Sequence, residues 1–526
     1  QYPDGAWFLD LAPISDPALV ISEAAQVLGV REEPERPLIQ SICAHLKPCR
    51  VLLIFDNCEH LIKPCADLVH AIVKAAPFVR MISSSREALH IPGERAYPVM
   101  PLLVPKPGDG LDAIRRSTAV RLFVERAQAH KPAFELTERE APAVAELVAR
   151  LEGIPLALEL AAARVRSLSV VDINTRLKDR YKILTGGSRV LQERQQTLRA
   201  LVDWSYDLLH ENDKLLLNRL AVFVGGFVLE AAEEICGSAP LSTDDVLDLM
   251  ASLVEKSLVM MEESEDGTRY RMLETIREYA SEKLEQSAET ASITAAHCQY
   301  FFAMAKAANK GLIGVEHATW IRRVEMDIDN VRASIALALS GAVDPLIAVK
   351  FAVALQGFWW LRGYATEGRK MVQAALELPG VQASDMAQAW ALYVGAALAG
   401  SQSDHATALQ MLETCLDLRR RLGNPVDIAA TLSTMTPTLM ALGDLARARE
   451  GEEEALRIFR ELADRQGEAI GLLHLGQIGL HEGDDASAQA DLERGLVVAR
   501  ALKHMEVQAD CELVLGLVAL EAGDGP

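Results

Sequence analysis

The chain has 526 residues, half of them hydrophobic, which is too long for a single core and too apolar for global disorder, so roughly three or four domains are expected. Its 53 Lys and Arg face 74 Asp and Glu for a net charge of −21, and no basic block occurs anywhere. That balance argues against this chain being the element that grips DNA or a membrane surface. Eight scattered cysteines without a CxxC pair read as reduced thiols rather than disulfides or zinc ligands. No apolar run reaches membrane-spanning length and no signal peptide is present, so a cytoplasmic protein is expected. The chain starts with Gln in mid-pattern, which reads as a piece of a longer protein.

Residues 7–11 read as a short strand, followed by Ser15-Asp16-Pro17 as a helix start and Gly29 as the residue that closes that helix. The next strand lies in VLLIFDNCEHL (51–61), where five apolar residues run without a polar break into Asp56. Such a run predicts a strand buried on both faces, as in a parallel sheet covered by helices. An acid at the carboxyl end of that strand sits where open α/β sheets bind their ligands. In a P-loop NTPase this acid, the Walker B residue, holds the Mg²⁺ of a bound nucleotide. The plainer alternative is an Asp that caps the helix starting near Glu59. A third strand over 79–83 runs into Ser84-Ser85-Arg86, and residues 97–102 are a candidate fourth strand. Alternating strands and helices imply a parallel, doubly wound sheet. Beside an Asp-tipped strand, hydroxyls and a guanidinium suit a phosphate, because the arginine fork donates bidentate, charge-assisted hydrogen bonds.

At this point the sequence resembles a known family. VLLIFDNCEHL, SSSREALHIPGERAYPV, LEGIPLALELAAARV (151–165), RQQTLRALVDWSYDLL (194–209), LAVFVGGFVLEAAEEIC (220–236) and YRMLETIREYA (270–280) look like successive motifs of the signal-transducing, NB-ARC-like (STAND) ATPases. More narrowly, they look like the large bacterial transcriptional regulators of that class, over about the first 335 residues. The resemblance implies that Asp56 ligands Mg²⁺, that Asn57 stands where many relatives carry a second acid, and that Arg86 faces the terminal phosphate of bound ATP, with Ser85 beside it among the candidate nucleotide-binding residues. Gly153 and Pro155 would belong to the motif that packs against the adenine. Two departures limit the carry-over. No GxxxxGK[ST] occurs and the dipeptide Gly-Lys is absent, so the phosphate cradle is expected ahead of Gln1. Leu273-Glu274 stands where many relatives place His-Asp.

Residues 106–188 read as a small helical lid, and 189–287 as four helices, two short strands around Glu265-Asp266-Gly267 and a further helix, a winged-helix pattern with mainly acidic exposed charges. Its DNA contact is disfavoured on that charge. From 288 to 526 the chain is helical, and a 40-residue period carries Gly363, Ser403, Gly443, Gly483 and Gly523 in one register. This is the mark of stacked helical hairpins resembling tetratricopeptide repeats. The residues beyond that family's usual length are expected in the loops near 423–425 and 465–467.

The expected architecture is therefore a partial P-loop NTPase α/β sheet (1–105), a helical lid (106–188), a winged helix (189–287) and an α-solenoid (288–526). The expected function is a slow ATP/ADP- and Mg²⁺-dependent switch whose repeat array registers an inducer or partner protein. DNA would be reached only through a domain outside this chain, with self-association on activation left open. The alternatives are a nucleotide-free scaffold, or the ATPase module of a fused nucleotide cyclase.

Overall fold

The computed structural model describes residues 2–521 except 15, 34–35, 86, 98, 107, 185–192, 265–266 and 313–315. The chain forms two compact units: Gln1–Ile91 with Phe302–Glu325 and Ser334–Pro526, and Pro92–Phe301 with Met326–Ala333. The small parallel sheet, the winged helix and the helical repeats are those the sequence predicts.

The first unit opens with β1 (Ala6–Asp10), α1 (Leu19–Val27), α2 (Leu38–Leu46), β2 (Leu52–Asp56), a 3-10 turn (Cys58–His60), α3 (Ile62–Ala75) and β3 (Arg80–Ser83). The strands pair in parallel in the order β1-β2-β3. Gly29 closes α1 as expected, with φ +68° and its successor's amide bonded back to the Ala25 carbonyl. One expectation fails: β2 is not buried on both faces. Leu9, Leu53 and Phe55 are fully buried in one core with Val20, Ile42 and Leu68 of the three helices. The opposite face stays open, with Phe8 54% and Ile82 56% exposed. An apolar run records what a strand can bury, not how many helices are present to cover it.

The second unit begins with the segment 92–110, where the described residues of 97–102 do not form the predicted strand. Tyr97 is 87% exposed, and the backbone of Leu102 bonds instead to the carbonyl of Gly153. A run of helices follows as α4 (Leu111–Arg116), α5 (Thr118–His130), α6 (Ala141–Arg150), α7 (Pro155–Ala163) and α8 (Val170–Leu184). Then come α9 (Glu193–Asp207), α10 (Glu211–Leu220), β4 (Gly226–Phe227), α11 (Leu229–Cys236), α12 (Thr243–Glu255), β5 (Met260–Ser264), β6 (Gly267–Arg271) and α13 (Glu274–Glu285). The antiparallel order β4-β6-β5 is the winged-helix sheet. The hairpin tip predicted at Glu265-Asp266 lies outside the described residues. Arg219, 1% exposed, fastens the α11–α12 loop: it donates to the carbonyls of Cys236, Ser238 and Ala239 and pairs with Glu289 at 2.6 Å. A buried guanidinium is tolerated because all its faces find acceptors.

The helix α14 (Thr290–Gly311) begins in this unit. Two helices follow, α15 (His317–Met326) and α16 (Ile328–Leu339), divided at Asp327. Asp327 accepts from Arg269 of β6 at 2.7 Å, and Asn330 holds β4 by accepting from the Val224 amide and donating to the Gly226 carbonyl.

The repeats of the first unit are α17 (Leu346–Arg362), α18 (Ala365–Leu376), the short α19 (Pro379–Gln382), α20 (Asp385–Ser401), α21 (His405–Leu422), α22 (Pro425–Ala441), α23 (Leu445–Glu461), α24 (Arg465–Glu482), α25 (Asp485–Leu502) and α26 (Met505–Glu521). Their starts recur every 40 residues, at 385, 425, 465 and 505 and at 405, 445 and 485. Turn chemistry explains the register. Ser403, Gly443 and Gly483 take φ of +60°, +79° and +76°, and Asp404, Asp444 and Asp484 cap the next helix through the amides of Thr407, Arg447 and Ser487. The loops are not long: Pro425 and residues 465–467 already belong to helices, and the helices from α20 onward run 17 or 18 residues. The extra residues lengthen the helices because each loop already consists of little more than a cap.

His297 of α14 is 4% exposed against Phe223 and Phe301, with Asn330 as a hydrogen-bond partner. Burial pushes its pKa down from 6.5 to about 4, against the opposing pull of Asn330. The unfolded chain therefore takes up this proton before the folded one does. Stability is complete above pH 6.5 and declines as pH falls toward 4. The contribution lost is up to about 3 kcal/mol. In urea titrations across that window, His297→Phe should flatten the decline; a variant as pH-sensitive as the wild type would show that His297 is not its source.

Candidate functional site

Parallel register places the polar ends of the three strands side by side. Asp10 pairs opposite Asp56, and Phe55 opposite Ser83, so alternation brings Asp10, Asp56 and Ser84 onto the open face of the sheet. The Ser84 hydroxyl donates a short hydrogen bond to Asp56 Oδ1 and accepts from the Asn57 amide at 3.0 Å. The amide of Cys58 donates to the Ser84 carbonyl at 3.0 Å and that of Ser84 to Phe55 at 2.8 Å, which locks the two strand ends together. Asn57 adopts the left-handed conformation, φ +58°, which Asn tolerates better than most residues. Asp56 and Asn57 are both half-buried.

Asp56 does not cap the following helix: the 3-10 turn and α3 begin without a side-chain cap, and the carboxylate is taken by Ser84. Of the two serines, Ser84 reaches Asp56, whereas Ser85 accepts from the Glu87 amide at 3.3 Å. Arg86 lies outside the described residues. Sequence reasoning misses Asp10 and assigns the nucleotide contact to Ser85 rather than Ser84, because which strand tips meet Asp56 depends on a register that only the pairing reveals. Asp10 also accepts from the Ala12 amide. Cys58, directly behind Asn57, is fully buried; a hydrogen bond with Cys65 and burial both push its thiol pKa up, so it stays protonated and is no nucleophile.

Hard oxygen donors at the end of a strand fit Mg²⁺, which characteristically takes one or two carboxylates and fills its remaining positions with water and phosphate oxygens. Among the described residues no group of three or more His, Cys, Asp and Glu could hold a metal by itself, so the protein ligands alone make an incomplete site.

Gly153 and Pro155 belong to the second unit. Gly153 takes φ +67°, and a Cβ there would lie 2.1 Å from the Leu102 carbonyl oxygen. The glycine is thus already required by backbone packing. Pro155 is exposed as the first residue of α7, where its missing N–H costs nothing. Leu273 precedes α13, and Glu274 is held by Arg277 of the same helix at 2.6 Å.

The winged helix has the geometry of a DNA reader without its charge. α12, the helix that follows the turn, exposes Asp244, Asp245, Asp248 and Glu255 and contains no Lys or Arg. The wing's two arginines are committed, Arg269 to Asp327 and Arg271 to Glu262.

A family model for a winged helix-turn-helix domain matches residues 209–285. The chain is 34% identical over 530 residues to "Putative HTH-type transcriptional regulator Rv0890c" of Mycobacterium tuberculosis, covering 99% of this chain and 58% of that protein. It therefore spans a little over half the length of that relative. Among solved structures, a Signal Transduction ATPase with Numerous Domains (STAND) protein with a tetratricopeptide repeat sensor from Pyrococcus horikoshii aligns over 98% of this chain and 80% of its own, at 13% identity and a TM-score of 0.42. The uncharacterized protein Rv0894 of Mycobacterium tuberculosis is 34% identical over 296 residues, which are 56% of this chain and 72% of that protein, and the chain belongs to its family.

Proposed function

We propose that this chain is the switching and sensing part of a transcriptional regulator, in which ATP or ADP with Mg²⁺ binds at the carboxyl end of the sheet and the helical repeats register an inducer. The observation that carries the reading is the Asp56–Ser84 pair at the tip of a parallel sheet, with Asp10 in register beside it. Asp56 and Asp10 would supply carboxylate oxygens to the metal, which when bound neutralises phosphate charge. Ser84 would orient Asp56 and hold the strand tips in place. Arg86 would donate to the terminal phosphate. The regulator relatives support the biological role, and the whole protein's output is part of the proposal.

This chain contains no phosphate-binding glycine loop. By itself it should therefore bind MgATP no tighter than about 1 mM in calorimetry. In the full-length protein, Asp56→Ala should weaken Mg²⁺-dependent nucleotide binding about tenfold or more, and Arg86→Ala should reduce discrimination of ATP from ADP by about 1.5–3 kcal/mol. A full-length protein that binds neither nucleotide overturns the switch and leaves the scaffold reading.

The winged helix is assigned a packing role rather than a DNA-reading one, because α12 repels phosphate and the wing arginines are already paired. In fluorescence anisotropy at low salt, the chain should not bind duplex DNA within the range typical of non-specific binding, about 10⁻⁴–10⁻⁶ M. Salt-dependent binding that disappears in an Arg269→Ala, Arg271→Ala double variant would refute the assignment.

A further inference from the structure

The 40-residue period lets equivalent positions be compared, and one turn departs from the pattern where the repeats meet the sheet. Within the first unit, the loop that leaves α1 lies against the turns that precede α18 and α21. A Cβ on Gly363 would stand 3.7 Å from the Glu32 amide nitrogen and 3.8 Å from Arg31 Cα, so turn and loop are in van der Waals contact. Beside them the side chain of Gln402 is engaged at both ends. Its Oε1 accepts from Arg369 Nη1 at 2.8 Å, and its Nε2 donates to Thr366 Oγ1 at 2.8 Å and to Glu32 Oε2 at 2.5 Å. Arg369 also pairs with Asp404 at 2.6 Å. The neighbouring Glu33 takes Arg36 of its own loop, so Glu32 is the acid presented to the repeats.

The same arrangement recurs two repeats further on with a different ending. Arg369 and Gln402 are 33 residues apart, as are Arg449 and Glu482. There the arginine pairs with the carboxylate of Glu482 at 2.5 Å, whereas the intervening repeat has Leu409 and Leu442 at these places. Thr366 is equally out of pattern, since Ala406, Ala446 and Ala486 follow in its register. The packing of a repeat requires neither an amide nor a hydroxyl here, because the other repeats form without them. A glutamate at 402 would serve Arg369 as well, but it has no N–H to give and would set its charge against Glu32. An amide keeps the arginine satisfied and leaves a donor for the acid, which makes a charge-assisted hydrogen bond.

We propose that Gln402, oriented by Thr366 and Arg369, is a latch that recognises Glu32 and fastens the repeat array to the sheet. The loop carrying Glu32 leaves α1, and α1 shares one core with β1, the strand that ends in Asp10. A change at the α20–α21 turn therefore reaches a strand of the candidate site through a single helix, without touching the site itself. The latch, closed or open, is a two-state element that both repeats and sheet can bias. This regulatory use deepens the proposed switch and rests on that reading. The latch itself is tested without nucleotide, so the two fail separately.

Arg31 is the first basic residue of the chain, so release of residues 1–31 by trypsin reports a cut in the latched loop. The rate is followed by mass spectrometry on the full chain. Each rate is divided by that of a free peptide carrying the same loop, which removes any effect of a substitution on trypsin itself. Gln402→Glu, which copies Glu482, should speed the cut about tenfold while melting no lower than the wild type. Gln402→Leu, which copies Leu442, should speed it as well. Combining Glu32→Gln with Gln402→Glu returns one amide and one carboxylate to the pair and should bring the rate back to within about twofold of wild type. An unchanged rate in Gln402→Glu overturns the proposal. So does a combined variant cut as fast as Gln402→Glu alone, because the effect would then lie outside this pair.

Discussion

The parallel ladder that sets Asp10 opposite Asp56, and Phe55 opposite Ser83, does two things at once. It turns Leu9, Leu53 and Phe55 into one core with α1, α2 and α3, and it turns Asp10, Asp56 and Ser84 onto the other face. A slip of one residue in β2 would bury Asp56 and expose Phe55, so the apolar core itself enforces the position of the candidate site. The Ser84 hydroxyl then joins the two strand ends through Asp56 and the Asn57 amide. The site is thus held by the sheet's hydrophobic face, with no cap from α3.

Much of this was legible in the sequence because it is local and periodic. The strand tip at Asp56, the closing Gly29, the winged-helix order and the 40-residue period each depend on a few residues at fixed spacing. What was not legible depends on partners distant in sequence. The apolar run 51–55 could not say that helices would cover only one face. Residues 97–102 have strand-like content but no ladder to join, so Leu102 bonds to Gly153 instead. The same contact gives Gly153 a packing reason that its motif concealed, since the Leu102 carbonyl leaves no room for a Cβ. The choice of Ser84 over Ser85 followed from alternation across a register that only the pairing reveals.

Repetition changes what can be inferred from a buried polar group. In an isolated core, a carboxylate such as Glu452 has many structural explanations. Here the same position is filled by Leu412 and Leu492 in neighbouring hairpins, and those hairpins pack without help. The surface ion pairs between successive hairpins, such as Arg420 with Glu454 and Arg447 with Glu413, are a different case. They are exposed, each contributes little, and they recur as ordinary neighbours in a ladder. The Glu452–His474–Thr436 cluster instead sets a buried carboxylate, an imidazole and a hydroxyl in hydrogen-bond contact between helices.

The winged helix carries a different lesson, because the two arginines of its wing are already paired. Its edge strand β4 is held through the Val224 amide and the Gly226 carbonyl by Asn330, while Asp327 occupies Arg269 of the wing. On the other side, Arg219 ties the loop before α12 to Glu289, at the start of the helix that follows. A free DNA reader keeps its wing and third helix unencumbered and positive. In this chain the wing's arginines are paired, and the charged residues of α12 are all acids. Asp327, just before α16, and Glu289, just before α14, are the partners of Arg269 and Arg219, and the module's shape alone is no evidence that it touches DNA.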